Sequence, residues 1–533
     1  MLVRKLLGPT LVRWGIGGAI CTSMVACLVI SRSGVAVERM DKDAAQLTDR
    51  DVVVRSPVKA HLVDGSTVLF RDGVVVSKTS VRARGKPGER FDVRLSPIPT
   101  VQTILLDSIV GMENFISRTN IGTSTVLTVL ATTGMVIGGA LAAVAIFGSC
   151  PTVYADSAGT AVLQAEVFAN RISPLFEARD IDLLSIRADS AGFVRLEVRN
   201  EALETHYINQ FELLDVRHGR NERIVPDEHG RPLALDAFAA ATEARDRAGN
   251  DLRSTLESSD GVVFSTATST MAGVTENDAR DYIDFTVKTP RDAENVAVVM
   301  HLRNSLLNTV LLYDFMLGAP GARSLDWLAH DMYRIGPVLQ LGRWYRNNFG
   351  LRILVKRGDK YEEVERHPTY GPVAWRDVAT MVPVRGQDEL QIRLTFVADE
   401  WRIDKLAVAT RARRVESRVV GLTRVDAGDD TTSSSALRSM REPDERYLQT
   451  SPGQKFTIAF DVGQTPASEA RTFLLASQGY YTEWLRGSWI KASRDSIPFK
   501  PGNAMMVGAI RRWYATRDSV EKLFYGARIP VKQ

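Results

Sequence analysis

The chain has 533 residues, more than one hydrophobic core ordinarily supports, so several domains are expected. Its 44% hydrophobic and 24% charged residues are an ordinary globular balance and exclude a disordered chain. The 67 basic and 63 acidic side chains are interleaved, leaving a net charge of +4 and excluding the clustered basic face that nucleic acid requires.

The N-terminus reads as an address. Arg4, Lys5 and Arg13 precede an uncharged run from Trp14 to Ser31, the pattern of a secretory signal. Within it Met24-Val25-Ala26-Cys27 resembles the lipobox of bacterial lipoproteins, and the resemblance implies lipidation of Cys27 as the mature N-terminal residue. The alternative is an uncleaved signal anchor of about 17 apolar residues, at the short end for a span. Both readings keep the basic flank inside and export the residues beyond the apolar run. Residues 32–51 are polar and read as a tether. Cys21, Cys27 and Cys150 are the only cysteines, too few and too badly spaced for a disulfide framework or a zinc site. Their absence from the long remainder suits an exported chain.

Residues 52–118 are strand-rich. Val52-Val53-Val54, Lys59 to Val63, Thr67 to Phe70, Val74 to Val76 and Thr103 to Leu106 are short apolar or β-branched runs. Asp64-Gly65 and Asp72-Gly73 punctuate them as hairpin signals. A small SH3-like barrel or meander is expected. Its aromatics, Phe70, Phe91 and Phe115, are too few for a base-stacking platform.

Residues 119–149 are uncharged and predict an apolar helix, long enough at 121–147 to lie within a membrane. Gly134, Gly138 and Gly139 give a Gly-x-x-x-Gly spacing, through which two helices in lipid can approach closely. The other reading is a Gly/Ala/Thr-rich helix buried in the body or lying on a membrane surface. A true span also conflicts with cleavage at Cys27 if the body is to face outward, so the two anchors compete.

From residue 150 strands dominate, and the expected fold is mainly β with a few helices. The expected units are a β-rich domain at 150–260, a sandwich at 261–410, a linker at 411–444 and a C-terminal α+β unit at 445–533. Ala237 to Ala248, Ser305 to Phe315 and Ala329 to Tyr345 read as helices. Tyr480, Tyr481, Trp484 and Trp489 sit largely on one side of a further helix over 478–490, as core.

Ser149-Cys150-Pro151-Thr152-Val153-Tyr154, directly after the apolar helix, resembles a group of uncharacterised bacterial envelope proteins. Arg179 to Asp182, Glu204 to Ile208, Val298 to Leu317 and Gly479 to Trp484 also look like that group, which brings no activity with it. Gln391 to Phe396 followed by Trp401 to Val408 resembles the closing strands of galactose-binding-like jelly rolls. That likeness implies a structural role for Asp404.

No nucleophile elbow, His-Glu-x-x-His, P-loop or Gly-x-Gly-x-x-Gly is present. The seven histidines, His61, His206, His218, His229, His301, His330 and His367, are dispersed. Asp180 and Asp182 would share a face if extended, fit for binding calcium or for acid–base work. Asp426, Asp429 and Asp430 are a looser acidic cluster. The expectation is a membrane-anchored bacterial envelope protein that binds an envelope protein or glycan, without catalysis, cofactor or metal. A hydrolase using Asp180, Asp182 or His206, and a component self-associating through Gly134 and Gly138, are the alternatives. The body is expected on the periplasmic or surface side.

Overall fold

A computed structural model describes residues 35–41, 51–55, 58–62, 66–91, 97–117, 150–202, 204–317, 335–428, 430–444, 446–464, 469–483 and 502–526. Cys27, the apolar segment with Gly134, Gly138 and Gly139, Asp326, Trp327, His330, Asp331, Trp484 and Trp489 lie outside these residues. The chain divides into two units, Met1–Gly134 and Met135–Gln533. Both are mainly β.

The first unit is barrel-like, with two sheets around one core. A six-stranded sheet runs in the order Val35–Asp41, Ile109–Ser117, Val58–Leu62, Thr67–Phe70, Gly88–Phe91, Pro97–Val101. A four-stranded sheet runs Val52–Val54, Val74–Val76, Ser80–Ala83, Thr103–Leu105. Alternate residues such as Val58, Ala60, Val68, Phe70, Val81 and Ile104 fill the core between them. Two expectations are corrected. Part of the polar tether, Val35–Asp41, is a strand paired with Ile109–Ser117. Asp72-Gly73 does not close a hairpin, because the strands it joins belong to different sheets. Gly73 crosses between them at φ +81°, where an added Cβ would lie 2.1 Å from the Val54 carbonyl oxygen.

The second unit is a stack of two β-sandwiches. In the first, the outer sheet runs Thr160–Glu166, Thr152–Ser157, Phe193–Arg199, Lys455–Asp461, Arg424–Asp426. Its inner sheet runs Ala178–Leu184, Ala470–Glu483, Glu204–His218, Arg418–Gly421, with Leu448–Thr450 also on Glu204–His218. Val153, Val194, Leu196 and Ile458 meet Phe211, Leu213, Phe473 and Leu475 between these sheets.

The second sandwich has an inner sheet in the order Arg223–Pro226, Pro232–Ala239, Trp401–Arg414, Asn295–Asn304, Arg376–Pro383. Its outer sheet runs Glu243–Asp246, Arg280–Lys288, Glu389–Val397, Leu351–Arg357, Lys360–His367. Phe285, Ile353, Leu394 and Phe396 pack there against Val298, Met300, Trp401 and Ile403. The two inner sheets also meet back to back: Leu214, Val216, Leu474 and Ala476 of the first sandwich cluster with Ile224 and Ala234 of the second. A sheet covered on both faces needs apolar residues on both, and Val296 to Met300 are buried without alternation.

The second sandwich is thus inserted into the first. The chain leaves on Glu204–His218 and returns on Arg418–Gly421, and these strands pair, Asp215 opposite Arg418. This replaces the serial order of domains. The sandwich starts at Arg223 rather than 261, and the strands of the expected C-terminal unit complete the first sandwich. The expected linker contains two sheet strands and the helix Asp430–Ser439, with Ala436 and Met440 in the first core. Ala237 to Ala248 is not a helix: cross-strand pairing such as Phe238 with Ala409 overrides the helix propensity of alanine. Residues 478–483 likewise continue the long strand Ala470–Glu483. Gly479 is needed there, since a Cβ would lie 2.4 Å from the Tyr207 carbonyl oxygen.

Helices gather at one end of the second sandwich. Leu307–Val310 runs into a wider π turn, Leu311–Leu317, and Ile335–Asn348 and Asn503–Gly526 are longer. Met506, Ile510, Trp513, Val520 and Phe524 recur at helical spacing and are buried. Among the described residues, no helix is long and apolar enough to cross a membrane.

Candidate functional site

Asp180 and Asp182 are not an open acidic pair. Both receive the guanidinium of Arg376, which comes from the other sandwich. Its Nη2 lies 2.9 Å from Asp180 Oδ2 and 2.8 Å from Asp182 Oδ1, and its Nη1 lies 3.1 Å from Asp180 Oδ1. Arg376 also donates to the Glu166 carbonyl at 3.1 Å and covers the ring of Tyr370. Burial would raise the Asp180 carboxyl, but the Arg376 charge holds it below the usual carboxylate range. Asp182, more deeply buried and facing the Asp180 and Glu166 charges, is pushed well above that range despite Arg376.

His206 is buried on Glu204–His218, with Nε2 3.3 Å from Glu204 Oε2. Burial holds its imidazole down to about 3, so it is neutral and pairs with Glu204 rather than with Asp180 or Asp182. Asp426 accepts from the Gly428 amide in a local turn, and Asp404 accepts from the Gly261 amide. Among the described residues no group of three or more His, Cys, Asp and Glu could hold a metal ion.

Beside the ion cluster lies a cleft of about 590 Å³. Residues 366–372 and three further chain segments build it, and each of the three has a local reason for its shape. The first is the loop after Thr160–Glu166. The Glu166 carboxylate accepts from the Val373 and Ala374 amides at 2.8 and 3.2 Å, tying this loop to residues 368–374. Asn170 Nδ2 donates to the Thr369 and Tyr370 carbonyls. Phe168 and Asn170 hold positive φ, 42° and 64°, a left-handed turn that asparagine tolerates and phenylalanine rarely adopts.

The second is Leu307–Leu317. Ser305 Oγ accepts from the Leu307 amide at 3.1 Å just before the helix, while Leu307, Val310 and Leu311 bury one face. The third is Ile335–Asn348, with Val338 and Leu341 buried on the cleft side. It stops at Gly350, φ +91°, a left-handed C-cap. Arg280, Arg352 and Arg366 donate to its last carbonyls, those of Asn347 and Asn348, Asn347, and Arg346 respectively. Cations there also suit the negative end of the helix dipole.

Leu175, Phe176, Leu311, Leu312, Met316, Val338, Leu339 and Phe349 make the wall apolar, and Cys150 lines it as well. The Cys150 thiol is pushed well up by burial, then by the Glu166 and Glu204 charges, which keeps it protonated and unreactive. Most polar groups at the cleft are spent on structure. Asn304 donates to the Glu400 carbonyl and accepts from the Tyr370 amide. Asn308 differs: its side-chain oxygen and nitrogen are both buried without a hydrogen-bond partner, and so is Nε of Arg171. A site of this size, mostly apolar with a few polar groups, is the usual form of a small-molecule site.

A second hollow of about 600 Å³ lies on the second sandwich near Phe238, Leu256 and Lys405, where Asp251 and Arg253 pair with each other at 2.7 Å. The sequence reads 305–315 and 329–345 as helices without marking them as a site, and no pattern distinguishes Asn308 from a surface asparagine.

No family model matches the chain, and no curated protein matches it. Among solved structures, a GH31 alpha-xylosidase from Xanthomonas citri aligns at 8% identity over 80% of this chain and 38% of its own, with a TM-score of 0.16. The cycloalternan-forming enzyme from Listeria monocytogenes aligns at 12% identity over 64% of this chain and 31% of its own, TM-score 0.15. A chain of Sulfolobus Turreted Icosahedral Virus aligns at 9% identity over 58% and 91%, TM-score 0.13. The chain therefore spans well under half the length of either enzyme. Likeness at this level carries no argument about fold or function.

Proposed function

We propose that the chain is a membrane-anchored protein of the bacterial cell envelope that binds a small molecule in the apolar cleft without transforming it. One observation carries this reading: the cleft of about 590 Å³ has an apolar wall and a buried Asn308 amide with no partner. Its neighbouring titratable groups support binding over catalysis. Asp180 and Asp182 are spent on Arg376, His206 is buried neutral, and the Cys150 thiol is held protonated. The basic, apolar N-terminus and the uncharged segment at 119–149 support the anchor and the envelope location.

The reading is tested on the full chain purified from its membrane fraction. Extracts of wild type and of Leu339→Trp are compared by mass spectrometry. Leu339 lines the cleft and is 55% exposed, so the larger side chain fills the mouth without disturbing the core. The expected result is a compound recovered unchanged from wild type, in near-stoichiometric amount, and depleted at least tenfold in the variant. Identical extracts from the two proteins would remove the proposal.

A further inference from the structure

Resting on that reading, we infer that the ligand is a bilayer lipid with one acyl chain in the cleft and a hydroxyl or carboxyl head at Asn308. The wall explains the chain. From Phe176 and Leu312 to Val338 and Leu341 it is mostly hydrocarbon, and polar neighbours such as Asn304 and Asn170 are already bonded within the fold, whereas a glycan would need a polar partner for most of its hydroxyls.

Asn308 explains the head. Its carboxamide buries one acceptor and two donors without partners, a state that native structures rarely tolerate, and a turn of this side chain towards the cleft brings them to a ligand. A group that donates to Oδ1 and accepts from Nδ2 satisfies both atoms at once. A protonated carboxyl and a glycerol hydroxyl each do this, and a bare hydrocarbon does not. Nε of Arg171, the other buried unpartnered donor lining the cleft, calls for a further acceptor oxygen, which either head supplies.

The chain itself says where the ligand comes from. The uncharged stretch, which runs on to Ala155, includes Cys150, a residue of the cleft wall. The anchor proposed for 119–149 directly precedes Cys150 in the chain, so under that reading the cleft stands close along the chain to the bilayer, where single-chain lipids are concentrated.

The test uses the full chain in phosphatidylcholine nanodiscs with photoactivatable palmitic acid, monopalmitoylglycerol and hexadecane, each bearing a diazirine. Labelled peptides are mapped by mass spectrometry. Palmitic acid and monopalmitoylglycerol are expected to label 311–316 and 338–342, hexadecane at least tenfold less. Preference for one of the two heads tells a free fatty acid from a glyceride. Asn308→Leu, which keeps the bulk and removes the amide, should lower both to the hexadecane level. Leu339→Trp should abolish all three. Equal labelling by hexadecane and wild-type behaviour of Asn308→Leu would overturn the head-group assignment. Labelling outside the cleft, or none, would overturn the lipid. A water-soluble compound still extracted from wild type and lost in Leu339→Trp would then leave the binding function standing without it.

Discussion

Arg376 Nη2 lies 2.8 Å from Asp182 Oδ1, across the junction where the inserted sandwich meets the one that holds it. The same guanidinium takes Asp180, so one cation serves two carboxyl groups that are both largely removed from water. Such a cluster adds little net stability over apolar packing, but removing one member leaves charge buried without compensation. Arg376→Met is expected to cost about 3–5 kcal/mol. Asp182→Asn should cost far less, because the Asp182 carboxyl already favours its neutral form. Denaturant unfolding of the three proteins at pH 7 checks the order. Equal losses for both variants would show that Asp182 is charged in the fold.

The same pair shows where the sequence stops being readable. Asp180 and Asp182 are visible as two carboxylates on one strand face, but their counter-charge stands almost two hundred residues away. Strands such as Arg280–Lys288, Asn295–Asn304 and Glu389–Val397 are legible because alternation and apolar runs are local properties. Their assembly is not. Nothing local says that Lys455–Asp461 returns to pair with Phe193–Arg199, so the domains read as a series. Ala237 to Ala248 misleads for a related reason, since tertiary pairing outweighs a propensity of a few tenths of a kcal/mol per residue. The cleft walls are legible as helices in part, over 305–315 and 329–345. Asn308 matters only through what its neighbours leave unpaired, and that is invisible before folding.

Gly371 holds the loop that closes the cleft against the ion cluster. A Cβ there would stand 1.9 Å from Glu166 Oε2, inside the carboxylate that binds the Val373 and Ala374 amides. Gly371→Ala must push Glu166 off those amides or move the loop, and is expected to cost about 1–3 kcal/mol. The variant should also lose ligand binding, since Glu166, Gly371 and Tyr370 all line the cleft. Thermal unfolding with and without ligand reads both effects. A variant as stable as wild type would mean that the loop has slack.

Trp513 anchors the last described helix. Its Nε1 donates to Asp399 Oδ2 at 2.6 Å, in a site where Asp399 also accepts from Nη1 and Nη2 of Arg402 and from the Thr266 amide. Asp399 has no solvent exposure, so loss of one donor cannot be repaired by water. Hydrogen bonds to a charged group contribute about 1.5–3 kcal/mol. Trp513→Phe is expected to cost about that much, and to raise hydrogen exchange across Asn503–Gly526 more than elsewhere. Uniform exchange would mean that the helix is held by its apolar face alone.

His367 weakens the fold in acid. Its Nδ1 lies 2.9 Å from the Tyr370 hydroxyl and its Nε2 2.6 Å from Thr380 Oγ1, with no solvent exposure. Burial holds its imidazole down to about 4, against 6.5 for the free side chain. Below about 6.5 the unfolded chain takes up the proton first, so this group lowers stability as pH drops towards 4, by up to about 1.4 kcal/mol per unit. Glu400 acts in the opposite sense. Burial raises its carboxyl from 4.5 to about 7 despite the Gly350 and Val397 amides. The folded protein holds that proton longer, so its contribution is full in acid and is lost as pH rises through 7. The two groups therefore oppose each other in mild acid. His367→Gln can still bond both hydroxyls but does not titrate. Relative to wild type it should gain stability as pH falls from 6.5 to 4.5, and the difference should stay constant above pH 7. A difference that does not vary with pH would assign the acid loss to His206, whose imidazole burial holds down to about 3.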